Sequence, residues 1–493
     1  MKKVSMVFIF MALLSSAWLG FACKDDSDSS GSTGHALWVR TVESGSAPSS
    51  FNSLAAGPDG IYAVGYIWGT GDLDFGNSQV GSGVCENTWN ALIVKYDFSG
   101  NVQWVKTVIS ATDSSSLEGV AVGSDGIYAA GYIRGSGAFN FDDSVVVNGK
   151  SEGNNSVIVK YSFLGVTQFA ATVTDGPGSS QFNSIAVWDD GTDEWLYAAG
   201  YIAGSGTFDF GNSATVVCPT SSSWNAVLVK YDTSGNALWG TTTESAPNRP
   251  SWFNSVSVSD SGIYIAGEIN GTDEYDFGNS VKATGIYINS NMLLMKYNEN
   301  GIAQWARTVV SGSSSRLNAV AVNDNGVYGA GSIVENIEYN FGNSVTVSGG
   351  HIFNDHLLLI KYNLDGTPQW ANSSVDDFSK SSLKAVVLAG DEIYAAGSMG
   401  TSIDLGNGVV ANGPWGPSPN VLLVRYNSDG NPVWAETVKM AYDISVFYSV
   451  VIADNCVYAA GYIYGDHKFD FGNNVKVWSE SSADNISLVK YDR

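Results

Sequence analysis

Asn254-Ser255-Val256-Ser257-Val258, then Gly262-Ile263-Tyr264-Ile265-Ala266-Gly267, Phe277-Gly278-Asn279, Leu294-Met295-Lys296-Tyr297-Asn298, Gly301 and Trp305 form one block that returns along the whole chain. Its Lys-Tyr pair recurs at Lys95, Lys160, Lys230, Lys296, Lys361, Arg425 and Lys490, at spacings of 65, 70, 66, 65, 64 and 65 residues. Self-similarity at one such period signals a repeat architecture in which each copy is a single supersecondary unit. Within a copy, residues 51–56, 61–68, 90–96 and 102–108 are rich in Val, Ile, Tyr and Trp and are bounded by Gly, Asp, Asn or Ser, the pattern of four short strands. Pro58-Asp59-Gly60 and Asp97-Phe98-Ser99-Gly100-Asn101 supply the turns. These readings predict an all-β, seven-bladed β-propeller with four-stranded antiparallel blades.

The two ends fix how the ring closes. The last copy stops at Lys490-Tyr491-Asp492-Arg493 without a Trp-containing fourth strand, and residues 36–42, Ala-Leu-Trp-Val-Arg-Thr-Val, match Gln103-Trp104-Val105-Lys106-Thr107-Val108. The N-terminal strand is therefore expected to complete the last blade, which leaves no free sheet edge. The run of Tyr-x-x-Gly, Leu-Val-Lys-Tyr-Asp and Ser-Gly-Asn-x-x-Trp resembles the SBBP-type bacterial β-propeller repeat over residues 36–493. That resemblance implies a seven-bladed fold in secreted or surface proteins and brings no catalytic residues with it. The Asp-x-x-Gly-x-x-x-Trp element, as in Asp97, Gly100 and Trp104, is also similar to the blade-locking element of quinoprotein propellers and to sialidase Asp-boxes. Trp104, Trp239, Trp305, Trp370 and Trp434 are accordingly read as inter-blade packing.

Composition agrees with a folded β protein: 56 glycines, 12% aromatic and only 15% charged residues in a chain of 493. The formal charge is -24, and the first 22 residues carry only Lys2 and Lys3, so the remainder stands at -26. Such acidity disfavours nucleic acid as a partner. Residues 1–22 read as a signal peptide, with two lysines ahead of an apolar run ending Leu19-Gly20-Phe21-Ala22-Cys23. This end resembles the lipobox of bacterial lipoproteins, which implies lipidation at Cys23 and a membrane anchor in the cell envelope. Residues 23–34 form a polar Ser/Gly/Asp tether, and residues 35–493 the propeller, expected to be a monomer. Cys85, Cys218 and Cys456 are too few for a disulfide scaffold, and a bridge between Cys85 and Cys218 would have to cross a blade.

Candidate binding residues come from two positions that vary between copies. The first, near the start of the channel-lining strand, reads Asn52, Glu118, Asn183, Asn254, Asn318, Lys384 and Tyr448; the repeated asparagines are scaffold, which leaves Glu118, Lys384 and Tyr448. The second, just after the second strand, contributes Trp68, Arg134 and Tyr464. With His467 these residues would gather over blades 7, 1 and 2 as an aromatic, polar pocket for a protein or glycan partner. The long second-to-third connections, such as residues 69–88, are expected to carry specificity. No cofactor is predicted: Asp72 with Asp74, Asp273 with Asp276 and Asp466 with Asp470 admit calcium but complete no ligand set, and His351, Asp355 and His356 share one loop without forming a readable metal constellation. No Ser/His/Asp constellation is readable. The leading expectation is an envelope-anchored, non-catalytic binding propeller; the alternative is a carbohydrate-active enzyme with carboxylates converging at the channel mouth.

Overall fold

The computed structural model describes residues 34–493 apart from 221–222, 351–353, 376–379, 417, 442 and 480. The signal segment 1–22, Cys23 and His351 lie outside the described residues. In the first copy Ser49–Gly57 pairs with Gly60–Trp68, that strand with Trp89–Tyr96, and that with Val102–Thr107, all antiparallel. Seven four-stranded sheets of this kind are present among the described residues. Their first strands are Ser49–Gly57, Ser115–Val122, Ser180–Asp189, Ser251–Ser259, Ser315–Asn323, Ser381–Ala389 and Ser445–Ala453. Each touches the one before and the one after, and the last touches the first. These strands therefore ring a central channel, and the sheets radiate from it as in a β-propeller.

Three sequence devices make the sheets pack in this way. The first is a bulge: Asn52 faces no residue of the second strand, because Phe51 pairs with Gly65 and Ser53 with Val64. The same shift occurs in every inner strand. A Cβ on Gly65 would lie 1.9 Å from the Ser50 carbonyl, and Gly131, Gly200, Gly267, Gly331, Gly397 and Gly461 meet the equivalent carbonyls within 2.4 Å. The glycine of Tyr-x-x-Gly is thus required by the bulge opposite it.

The second device is the serine that opens each inner strand. Its hydroxyl accepts a backbone N–H from the third strand of the preceding sheet: Ala91 to Ser115, Ser156 to Ser180, Ala226 to Ser251, Met292 to Ser315, Leu357 to Ser381, Val421 to Ser445 and Ile486 to Ser49, at 2.9–3.3 Å. All seven serines are buried, so each bond ties two sheets in a dry interface.

The third device is the fourth-strand tryptophan. Trp104, Trp239, Trp305, Trp370 and Trp434 lie against Gly165, Gly301, Gly366, Gly430 and Gly34, where a Cβ would come within 2.9 Å of the indole. Indole N–H groups of the first four donate to carbonyls in the same turn of the next sheet. These tryptophans are therefore inter-sheet packing. Apolar side chains complete the interfaces as seven clusters, each shared by two adjacent sheets, including one that joins Tyr458 and Leu488 to Phe51 and Leu92.

The closing strand is Ala36–Arg40, two residues shorter than its sequence match, with Val42 buried just beyond it. It pairs with Asp484–Asp492, placing Trp38 opposite Lys490 and Ala36 opposite Tyr491, the same bulged register as Trp104 opposite Lys95 and Val102 opposite Tyr96. Trp38 meets Tyr458 at 5.8 Å as Trp104 meets Tyr62 at 5.9 Å.

The second-to-third connections are built differently from the free loops expected. Each folds into a small hairpin, for example Gly71–Asp74 with Val80–Gly83. The Asp-Phe-Gly-Asn turn explains it: Asp74 Oδ1 accepts the Gly76 N–H at 2.8 Å, and Asn77, at positive φ, donates to the Val102 carbonyl at 2.8 Å. Asn473 donates to the Ala36 carbonyl in the same way. The remaining slack is taken up by a buried asparagine in the third strand. Asn90 Oδ1 accepts the Val84 and Cys85 N–H groups, while its Nδ2 donates to the Gly69 carbonyl.

Candidate functional site

Six of the seven bulge residues, all but Asn183, line a cavity in the channel. Asparagine there is used structurally. Nδ2 of Asn52, Asn183, Asn254 and Asn318 donates to the carbonyl of Leu117, Phe253, Leu317 and Leu383 on the next inner strand around the ring, at 2.7–3.1 Å. This satisfies strand carbonyls rather than loop groups. Glu118, Lys384 and Tyr448 break the pattern, and all three line one cavity of about 630 Å3 at the channel mouth, with Asn52, Asn254 and Asn318.

The rest of the lining comes from residues that sequence reasoning missed: Tyr66, Trp89, Ser116, Tyr132, Asn154 and Gln181. Tyr66 and Tyr132 directly follow the bulge glycines Gly65 and Gly131, and Tyr201 and Tyr462 stand in the same place in their copies, where the other copies carry Glu268, Ser332 and Ser398. The pair Gly-Tyr in four of seven copies was the available signal. The channel is consequently two-sided. One side is aromatic: Tyr66 lies 6.1 Å from Trp89, Tyr448 5.9 Å from Tyr462, and Tyr201 stacks on Trp224 at 4.9 Å, itself 5.8 Å from Trp252. The other side holds Glu268, Arg316 and Lys384, with Arg316 Nε 3.9 Å from the Glu268 carboxylate.

Electrostatics separate the two sides further. Burial pushes the Glu118 carboxyl up, partly offset by a hydrogen bond from Ser116, and its Oε2 accepts Asn52 Nδ2 at 3.0 Å. Burial also raises Asp484. The Tyr66 hydroxyl, pushed up to about 12 by burial, feels the charges of both Asp484 and Glu118, as does Tyr448, so the two acids serve the same side of the channel. Across it, burial lowers Lys384, while Asp355 and Glu268 act to raise it. Lys384 also lines a second cavity of about 670 Å3 over the sixth sheet, where the fully exposed Trp415 forms the lip.

Of the seven predicted site residues, the cavity gathers Glu118, Lys384 and Tyr448, and leaves four outside its lining. Trp68 stands two residues beyond Tyr66, on the same strand face one level higher, and its ring meets Trp89 edge-on at 5.4 Å. Arg134 and Tyr464 hold the same place beyond Tyr132 and Tyr462 and are exposed at strand ends. His467 belongs to an outer hairpin, 3.7 Å from Asp466.

The acidic and histidine groups have local duties. Asp72 accepts from Ser82 at 2.6 Å, Asp273 pairs with Arg249 at 3.2 Å, and Asp276 and Asp470 cap the N–H of Gly278 and Gly472. No group of three metal-binding side chains occurs among the described residues. His356 is buried at the third-strand position that carries asparagine in the other six copies, with Nδ1 3.5 Å from Ser374 Oγ, which gives it a place in the blade scaffold. Cys85 and Cys218 are free thiols.

No protein-family model matches the chain, and no curated protein matches it. Solved structures do align with it at low identity. The WD40 β-propeller domain of Doa1 has a TM-score of 0.44 at 10% identity, over 94% of this chain and 97% of that one. Acylaminoacyl peptidase has a TM-score of 0.40 at 10% identity, over 87% of this chain and 52% of that one, and the phage phi92 endosialidase 0.37 at 11%, over 92% and 68%.

Proposed function

We propose that this chain is a seven-bladed propeller of the SBBP repeat type whose channel mouth binds a glycan without cleaving it. The supporting observation is the lining itself: aromatic faces at Tyr66, Trp89 and Tyr132 beside amides at Asn52, Asn154 and Gln181. Sugar rings present apolar faces that stack on aromatic rings and hydroxyls that exchange hydrogen bonds with amides. A concave, partly aromatic cavity of about 630 Å3 is of the size that such a ligand fills.

The test is a screen of oligosaccharides by calorimetry, with products followed in the same incubations. Trp89→Ala is expected to weaken the best ligand by about ten-fold or more. Trp478→Ala, which removes an exposed indole on an outer hairpin, is expected to change nothing. Equal losses in both variants would defeat the site. Glycoside cleavage is the second reading, favoured by the raised carboxyls of Glu118 and Asp484 on one side of the channel. Release of shorter sugars that stops in Glu118→Gln and Asp484→Asn would establish it against the binding reading.

The same proposal includes lipid anchorage in the cell envelope through Cys23. The inner strands run from the mouth to the opposite face, and the fourth strands run back, so Ala36–Arg40 begins on the face opposite the mouth. An anchor on the residues preceding it would hold the mouth away from the membrane. Cys23→Ala is expected to release the exported protein from the membrane fraction; unchanged retention after removal of that thiol would rule the anchor out.

A further inference from the structure

We propose that the glycan bound at the channel mouth carries a free amino group, an amino sugar seated with its ammonium at Glu118. This rests on the glycan reading above and names the class of sugar. Its starting point is the asymmetry of the channel. Glu118 occupies a bulge position that asparagine fills in four copies, and it has taken a carboxylate where its neighbours have a neutral amide. A carboxylate there gives up the hydrogen bond that the amide would donate to the next strand, so the scaffold alone does not explain it.

Its protein partners are neutral. Asn52 Nδ2 donates to Oε2 at 3.0 Å, Ser116 supplies a further hydrogen bond, and no ion pair engages Glu118 among the described residues. Asp484, the second acid on this side, has neither an ion pair nor a side-chain hydrogen bond there among the described residues, and it stands opposite Tyr464 in the sheet. Both carboxyls are pushed up by burial, the signature of charge left without a counter-charge. The cations of the channel do not supply one: Arg316 and Lys384 stand on the other side and are flanked by Glu268 and Asp355.

Around Glu118 the cavity presents Tyr66, Trp89, Tyr132 and Tyr448. Aromatic faces attract an ammonium through the ring quadrupole, and a carboxylate beside them adds a charge-assisted hydrogen bond. A net charge of -24 also raises the local concentration of any cationic ligand and speeds its approach. A neutral sugar would stack on the same rings yet leave Glu118 as it stands. An ammonium at the same place brings the missing counter-charge.

The experiment compares glucosamine oligosaccharides with their N-acetylated counterparts of equal length by calorimetry, with a lysine homopeptide as a third ligand. The wild-type protein is expected to prefer the free-amine sugar by about ten-fold or more, with the preference weakening as salt is added. In Glu118→Gln the preference should fall to within about two-fold, with the unfolding midpoint and circular dichroism reporting that the ring is intact; Asp484→Asn should reduce it by a smaller factor. Equal binding of both sugars by the wild type, or a preference that persists in Glu118→Gln with Asp484→Asn, overturns the amine assignment while the glycan reading stands. Binding of the lysine homopeptide with neither sugar bound overturns both.

Discussion

Gly65→Ala and Gly397→Ala should each cost at least about 3 kcal/mol of stability, seen as a large drop in the unfolding midpoint or as loss of soluble protein. The reason lies in the bulge. The added methyl would sit 1.9 Å from the Ser50 carbonyl in the first case and 2.0 Å from the Ser382 carbonyl in the second. Both obstacles are backbone, so relief requires the inner strand itself to move. That movement would displace Asn52 or Lys384, the residues the bulge holds in the channel. Gly416→Ala is the control, since nothing lies within 4 Å of its Cβ position and its φ is ordinary. A midpoint for Gly65→Ala within a degree or two of the control would refute the role given to the bulge.

Removal of residues 34–41 is expected to be the second large effect, on the order of 5 kcal/mol. It takes away the buried Ala36 and Val39 and the ladder to Asp484–Asp492. It also removes the glycine against which Trp434 packs. The exposed third strand would then offer unpaired backbone groups to a second copy. Loss of cooperative unfolding together with concentration-dependent association, measured by calorimetry and sedimentation, is the expected outcome. A monomer that unfolds at the parent temperature would show that the ring does not depend on its closing strand.

Much of this architecture is legible in the sequence. Spacing of the Lys-Tyr pairs gave the number of copies, and the absent tryptophan after Tyr491 pointed to residues 36–42 as the missing strand. Such features are readable because they are local and repeated. The serine latch was equally repeated, at Ser49, Ser115 and their equivalents, yet its meaning lies in a bond to a different sheet, which composition does not announce. The outer hairpins are hard to read as strands because their segments are only three to five residues long and several depend on the Asp-Phe-Gly-Asn turn.

The site was legible in part for a related reason. Variation at the bulge identified Glu118, Lys384 and Tyr448 as departures from a scaffold asparagine, and those three line the cavity. Trp68, Arg134 and Tyr464 were one level too high: period-two alternation puts them on the correct strand face, and only the depth of the channel separates them from Tyr66, Tyr132 and Tyr462. Trp89 and Gln181 come from different sheets and strands, so no linear spacing connects them.

The claim on which the rest depends is that the aromatic and amide lining of the channel mouth is the binding surface. The most direct measurement is a crystal of the propeller soaked with the tightest oligosaccharide from the screen. Sugar density against Trp89 and Tyr66, within hydrogen-bonding distance of Asn154, Gln181 and Glu118, is the predicted result. Density confined to the outer hairpins, at Trp478 or against Trp415, with the channel mouth holding only solvent, would contradict it.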